Sequence, residues 1–125
     1  MAQILEKIKT VAKPGVTTKE LDRLAESLIF SVGGESAFKG YRLAGNVKDI
    51  PPYPAVLCTS INDEIVHSIP SDRVLKEGDI IGLDIGMTYK GLVTDMAATI
   101  GVGMIDASKQ RVIDVTKKAL AAGIA

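Results

Sequence analysis

Apolar residues recur at helical spacing near the start of the chain. Ile4, Leu5, Ile8 and Val11 share one face, and Glu6, Lys7 and Lys9 fall elsewhere. This pattern predicts a short amphipathic helix within residues 1–12, stopped by Pro14-Gly15. No capping residue precedes it, so the sequence reads as starting inside an element. Thr17 and Glu20 then form a T-x-x-E capping box. Leu21, Leu24, Ala25, Leu28, Ile29 and Val32 mark one face of a second helix over 18–32, ended by Gly33-Gly34. Ser36 to Lys39 reads as a short strand. Gly40 to Pro54, rich in proline and glycine, reads as a loop. Ala55 to Ile61 is a β-type run, followed by a turn at 62–64 and a short continuation of the strand at 65–67. Ser71 to Gly78 is a polar connection. Ile80 to Met87 and Leu92 to Val102 are strand-like, with Thr88 to Gly91 between them. Ser108 is the expected cap of a last helix over 109–122, whose face carries Val112, Thr116, Ala119, Leu120 and Gly123. The order α-α-β-β-β-β-α predicts one α+β domain, residues 1–125, with an antiparallel sheet.

Composition narrows the function. Fifteen basic and fifteen acidic residues give a net charge of zero, without the basic excess of a nucleic-acid surface. The longest uncharged run, Ile50 to Asn62, contains three prolines, so no membrane span is predicted. The N-terminus shows no signal-peptide pattern. A lone cysteine excludes an internal disulfide and suits a reducing, cytoplasmic setting. A lone histidine excludes any zinc site that needs two histidines from this chain. The chain is 46% apolar with few aromatics. That fraction fits either an Ala/Val/Ile-rich core or apolar surface that meets a partner.

The sharpest chemical signal is Asp84 with Asp95. A turn centred between Tyr89 and Lys90 makes paired positions sum to about 179, which sets these two aspartates directly opposite on one face. Their same-face neighbours, Gly82, Gly86, Val93 and Ala97, are mostly small. Leu83, Ile85, Met87, Leu92, Met96 and Ala98 fall on the other face, which reads as core. Aspartate is depleted in strands, and like charges directly opposite are destabilising. A shared proton would offset the repulsion. A divalent cation would do so better, because carboxylate oxygens are hard ligands. A register slipped by one or two residues is the bland alternative.

His67 follows a β-type run and precedes Ser68-Ile69-Pro70. It reads either as a hydrogen-bonded loop residue or as a proton carrier at a cleft. Cys58 reads as a small buried hydrophobe. Tyr53 sits in the Pro-rich loop, where it could line a pocket. The charges at Asp72-Arg73, Lys76-Glu77 and Asp79 read as a solvated loop.

Several of these runs together resemble the first half of type I methionine aminopeptidases. They are Tyr53 to Asn62, His67-Ser68-Ile69-Pro70, Leu75 to Ile81 leading into Asp84-Ile85-Gly86, Gly91 with Thr94-Asp95, and Lys13 to Asp22 upstream. The resemblance implies half of a pita-bread fold, in which two α/β halves surround a dinuclear metal centre. It implies removal of the initiator methionine from nascent proteins by metal-assisted hydrolysis. Asp84 would chelate one metal ion and Asp95 would bridge both, with Mn, Co, Fe or Zn as the ion. His67 would contact the substrate near the scissile peptide, and Tyr53 and Cys58 would line the methionine side-chain pocket. Three positions depart from the family pattern: Ser68 where glycine is usual, Val93-Thr94 where His-Gly is common, and Ile50 where a pocket tyrosine is expected. The family's remaining ligands, one histidine and two glutamates, belong to the second half. Here the single histidine is already assigned to the substrate side, and no glutamate follows Glu77. The resemblance therefore implies an N-terminal half that is inactive alone and binds metal weakly or not at all, or a non-catalytic peptide-binding relative. A half of a pseudo-symmetric fold also leads us to expect a homodimer.

Overall fold

A computed structural model describes residues 1–42 and 50–125. Part of the predicted loop at 40–54 falls in the remainder. The described elements are α1 (Ala2–Val11), α2 (Thr18–Ser31), β1 (Glu35–Ser36), β2 (Leu57–Ile61), β3 (Ile80–Tyr89), β4 (Leu92–Gly101) and α3 (Ala107–Ile124). The predicted order is the one observed.

The capping box forms as read. Thr17 Oγ1 accepts from Glu20 N–H, and Glu20 accepts from Thr17 N–H. Gly33 supplies the left-handed residue after α2, with φ +73°. Three local readings shift. The short strand moves to Glu35–Ser36, because Ser36 Oγ accepts from Phe38 and Lys39 N–H and turns the chain. Residues 65–67 do not continue β2, since His67 lies in the left-handed region at φ +58°. The last helix starts earlier, capped by Asp106, whose carboxylate accepts from Lys109 N–H.

β3 is the centre of one antiparallel sheet. β1 and β2 pair with different stretches of one edge of β3, and β4 pairs with the other. Ile81, Leu83 and Ile85 of β3 join Leu57 and Ile61 of β2 under α1 and α2, which contribute Ile4, Leu5, Ile8, Leu21, Ala25 and Ile29. This is the core. α3 buries only Ile113 among its apolar side chains; Val112, Val115, Leu120 and Ile124 stay exposed. The face read from sequence for this helix is thus not buried within the described residues.

Leu92 and Met96 also depart from expectation. Both share the core-side face of the sheet, yet Leu92 is 72% exposed and Met96 37%. They lie on an edge strand that α1 and α2 do not fully cover.

Long-range ties fix the loops around this frame. Thr18 Oγ1 donates to Ser71 O and accepts from Ser71 N–H, a contact 53 residues apart in sequence. Asp22, on α2, accepts from the N–H groups of both Val56 and Leu57.

Candidate functional site

The β3–β4 hairpin closes through a two-residue turn at Lys90-Gly91, with φ +49° and +79°. Positive φ at both positions defines a type I′ turn, whose twist matches the flanking strands. Tyr89 therefore pairs with Leu92, and the register runs two positions from the expected one. Asp84 lies opposite Ala97, and Asp95 opposite Gly86. The directly opposed pair of the sequence reading is corrected to a diagonal pair. A shift of two preserves the face, because side chains alternate with period two. Diagonal neighbours sit about 7–8 Å apart at Cα and remain within reach of each other's side chains.

The two carboxylates are not equivalent. Asp84 is half-buried and Asp95 is exposed. Oδ1 of Asp84 is buried and accepts no hydrogen bond from the described residues. Burial first, and then the charge of Asp95, raise the Asp84 carboxyl above its ordinary value, while His67 acts in the opposite direction. An ionised carboxylate oxygen without a donor is costly inside a protein. The arrangement suits a proton or a cation at that atom.

β2 delivers the next group. Cys58 pairs directly with Asp84, on the same face, and is buried. Burial pushes its thiol up. The Tyr53 hydroxyl offsets part of that rise, and the Asp84 and Asp95 charges add to it. Burial with a raised thiol favours packing over nucleophilic attack at this position. The Tyr53 hydroxyl lies within hydrogen-bond distance of two carbonyls, Leu57 O at 3.1 Å and Ser68 O at 3.3 Å. It thereby ties β2 to the segment carrying His67. Burial, with Cys58 alongside, holds the Tyr53 hydroxyl well above the usual phenol range.

His67 is exposed, at left-handed φ, where a non-glycine residue is held against its preference. It lines a cavity of about 460 Å³ together with Cys58, Asp84 and Ala97, and α3 forms another wall through Val112 and Leu120. The structure thus brings Asp84, Cys58 and His67 to one cavity. It places Asp95 diagonally beside Asp84 and sets Tyr53 behind Cys58. Ile50, the departure from the expected tyrosine, is half exposed at 50%.

Two contributors were not read from sequence. Asp22 anchors the entry to β2 from inside α2, and burial raises its carboxyl against the lowering effect of its two backbone donors. Its signal was an acidic residue adjoining the buried Leu21–Ala25 stripe. Phe38 packs so close to Gly86 that a Cβ there would collide with its ring, so the small residue opposite Asp95 is enforced. Nothing in the local pattern around Phe38 pointed to that contact. No group of three or more His, Cys, Asp or Glu side chains suited to a metal occurs among the described residues. The aspartate pair by itself falls short of such a group.

A family model for metallopeptidase family M24 matches residues 1–125. The chain belongs to this family. Within it, the chain is 42% identical to a methionine aminopeptidase of Clostridium acetobutylicum over 99% of its own length and 46% of that protein's. It is 40% identical to methionine aminopeptidase 1 of Bacillus subtilis over 95% of its own length and 44% of that protein's. The crystal structure of methionine aminopeptidase from Rickettsia prowazekii superimposes with a TM-score of 0.89 at 33% identity, covering 98% of this chain and 46% of that one. The chain spans just under half the length of these relatives, and its fold is the half pita-bread architecture.

Proposed function

We propose that this chain is the N-terminal half of a metal-dependent methionyl aminopeptidase acting on nascent-protein N-termini in the cytoplasm. The observation that carries the reading is the same-face aspartate pair, with a buried Asp84 Oδ1 that lacks a donor. Asp84 and Asp95 would be the ligands this half offers to a divalent ion, Mn, Co, Fe or Zn. When bound, such ions polarise a peptide carbonyl and activate water. The chain's own residues do the remaining work. His67 would contact the substrate near the scissile peptide and carry a proton there. Cys58 and Tyr53 would wall the methionine side-chain pocket, with the Tyr53 hydroxyl holding β2 against the His67 segment.

Two carboxylates fall short of the four to six ligands of a tight all-protein site, so binding should be weak and turnover absent in this chain alone. Manganese binding, followed by electron paramagnetic resonance, should be weak in the parent chain and lost in Asp84→Ala and Asp95→Ala. Methionine release from a Met-Gly tripeptide should not exceed background; robust turnover would sink the half-site reading. If neither alanine changes manganese binding, the alternative gains: a non-catalytic peptide-binding module, which the incomplete ligand set also fits. A homodimer through the exposed half-fold surface is part of this reading, checked by light scattering across a dilution series.

A further inference from the structure

His67 is one of three non-glycine residues with a left-handed backbone among the described residues, at φ +58°. An L side chain resists that conformation, so the surrounding structure has to hold it there. Ile65, Val66 and His67 make no backbone hydrogen bond among the described residues. The hold therefore comes from the two ends of this short loop.

The far end is fixed to β2, where Ser68 O accepts from Thr59 N–H at 3.0 Å. The near end is fixed by one residue used three times. Glu64 N–H closes a tight turn onto Ile61 O at 3.1 Å. Its carboxylate reaches back over the same turn, and Oε2 accepts from Ile61 N–H at 2.8 Å. The other oxygen, Oε1, accepts from the guanidinium of Arg73. Arg73 is itself anchored. Its C=O accepts from Thr18 N–H, its N–H donates to Ser71 Oγ, and the adjoining Val74 bridges Thr17. The guanidinium thus connects the head of α2 to the turn that precedes His67.

Asn62, also left-handed at φ +56°, is held by other groups. Its N–H donates to Ile80 O, and its side-chain amide accepts from Ile80 N–H and donates to Asp79. Its conformation does not depend on Arg73. An exposed ion pair adds little to global stability, and the Glu64 and Arg73 side chains are both partly exposed. The leverage of this pair is local.

We propose that Glu64 and Arg73 are positioning residues for His67. Their ion pair fixes the 61–64 turn, so that the loop reaches Ser68 with His67 left-handed and on the cavity shared with Cys58 and Asp84. This deepens the proposed function, since His67 is the residue that would meet the substrate. The geometry itself requires neither metal nor peptide.

The test is nuclear magnetic resonance of the purified chain without metal or substrate. A positive φ gives a strong intraresidue HN–Hα Overhauser effect and a reduced one-bond Cα–Hα coupling. The single histidine gives one set of ring signals. The wild-type chain should show the positive-φ signature at both Asn62 and His67. Arg73→Ala should lose it at His67, shift the ring signals and keep it at Asn62, with the urea midpoint nearly unchanged. Glu64→Gln keeps an acceptor for Ile61 N–H but removes the charge, and should weaken the signature at His67 alone. Arg73→Lys keeps a cation within reach and should restore it at least in part. Lys19→Ala breaks the neighbouring Lys19–Asp72 pair without touching Glu64, and should leave His67 as it is. If Arg73→Ala fails to fold, Glu64→Gln and Arg73→Lys decide. A signature at His67 that survives both Arg73→Ala and Glu64→Gln overturns the proposal. So does its absence from the wild-type chain, its loss in Lys19→Ala, or a loss that also takes Asn62 and lowers the urea midpoint. None of these readouts involves manganese binding or methionine release, so failure here and failure of the aminopeptidase reading are told apart.

Discussion

β3 and β4 are two strands of one hairpin, equal in length and similar in composition, with opposite fates. β3 has neighbours on both edges, and Ile81, Leu83 and Ile85 are fully buried. Among the described residues β4 pairs only with β3, and its first six residues are all exposed. Alternation of apolar residues tells which face of the sheet a side chain takes. It does not tell whether the strand is central or at an edge, because that depends on what pairs with it from far away in sequence. Leu83 and Leu92 make the point: same residue type, same face, 0% against 72% exposed.

The comparison breaks most visibly at those two leucines. Leu83→Ala should cost about 2–5 kcal/mol, as a large-to-small change in a closed core. Leu92→Ala should stay within about 0.5 kcal/mol. Urea denaturation of both variants measures the contrast, and similar losses would mean that β4 is covered in solution. Gly86→Ala comes next. Its Cβ would strike Phe38 and Ala37, so a loss of about 1–3 kcal/mol is expected from overpacking, visible as a lowered thermal midpoint.

Asp22→Ala leaves the Val56 and Leu57 N–H groups without their acceptor, at a cost of about 1–3 kcal/mol. Asp22→Asn retains an acceptor and should cost less. It also tests a pH dependence. Burial raises the Asp22 carboxyl, so the folded state holds its proton more tightly than the unfolded chain. Ionisation of Asp22 then weakens the fold as pH rises through a window opening at the ordinary value of 3.8. Wild type should lose stability relative to Asp22→Asn across that window. The smallest effect belongs to the aspartate pair: in metal-free buffer Asp84→Asn should gain about 0.5 kcal/mol by removing one of two like charges on a shared face. A loss there would show that Asp84 serves the fold.

The helices, the chain order of the elements and the same-face placement of the aspartates were legible because each rests on local periodicity or a local cap. The T-x-x-E box at Thr17–Glu20 forms as read. The register was not legible, because Lys90-Gly91 adopts a turn that usually advertises itself as Asn-Gly or Asp-Gly. The fit of Gly86 under Phe38 and the Asp22 anchor join residues distant in sequence, where no periodicity points. His67 was legible as a site candidate. Its left-handed backbone was not, since histidine does not announce that conformation as glycine does.

The Thr18–Ser71 tie has a kinetic consequence. The His67 segment is pinned to the head of α2 across a loop of 53 residues. Closing so long a loop costs chain entropy before the contact returns anything, and non-local contacts of this kind slow folding. The two helices and the β3–β4 hairpin can form from neighbouring residues. The aspartate pair is held within a single hairpin, whereas the far end of the His67 segment is fixed by a contact 53 residues away, so the two halves of the site draw on contacts of very different range.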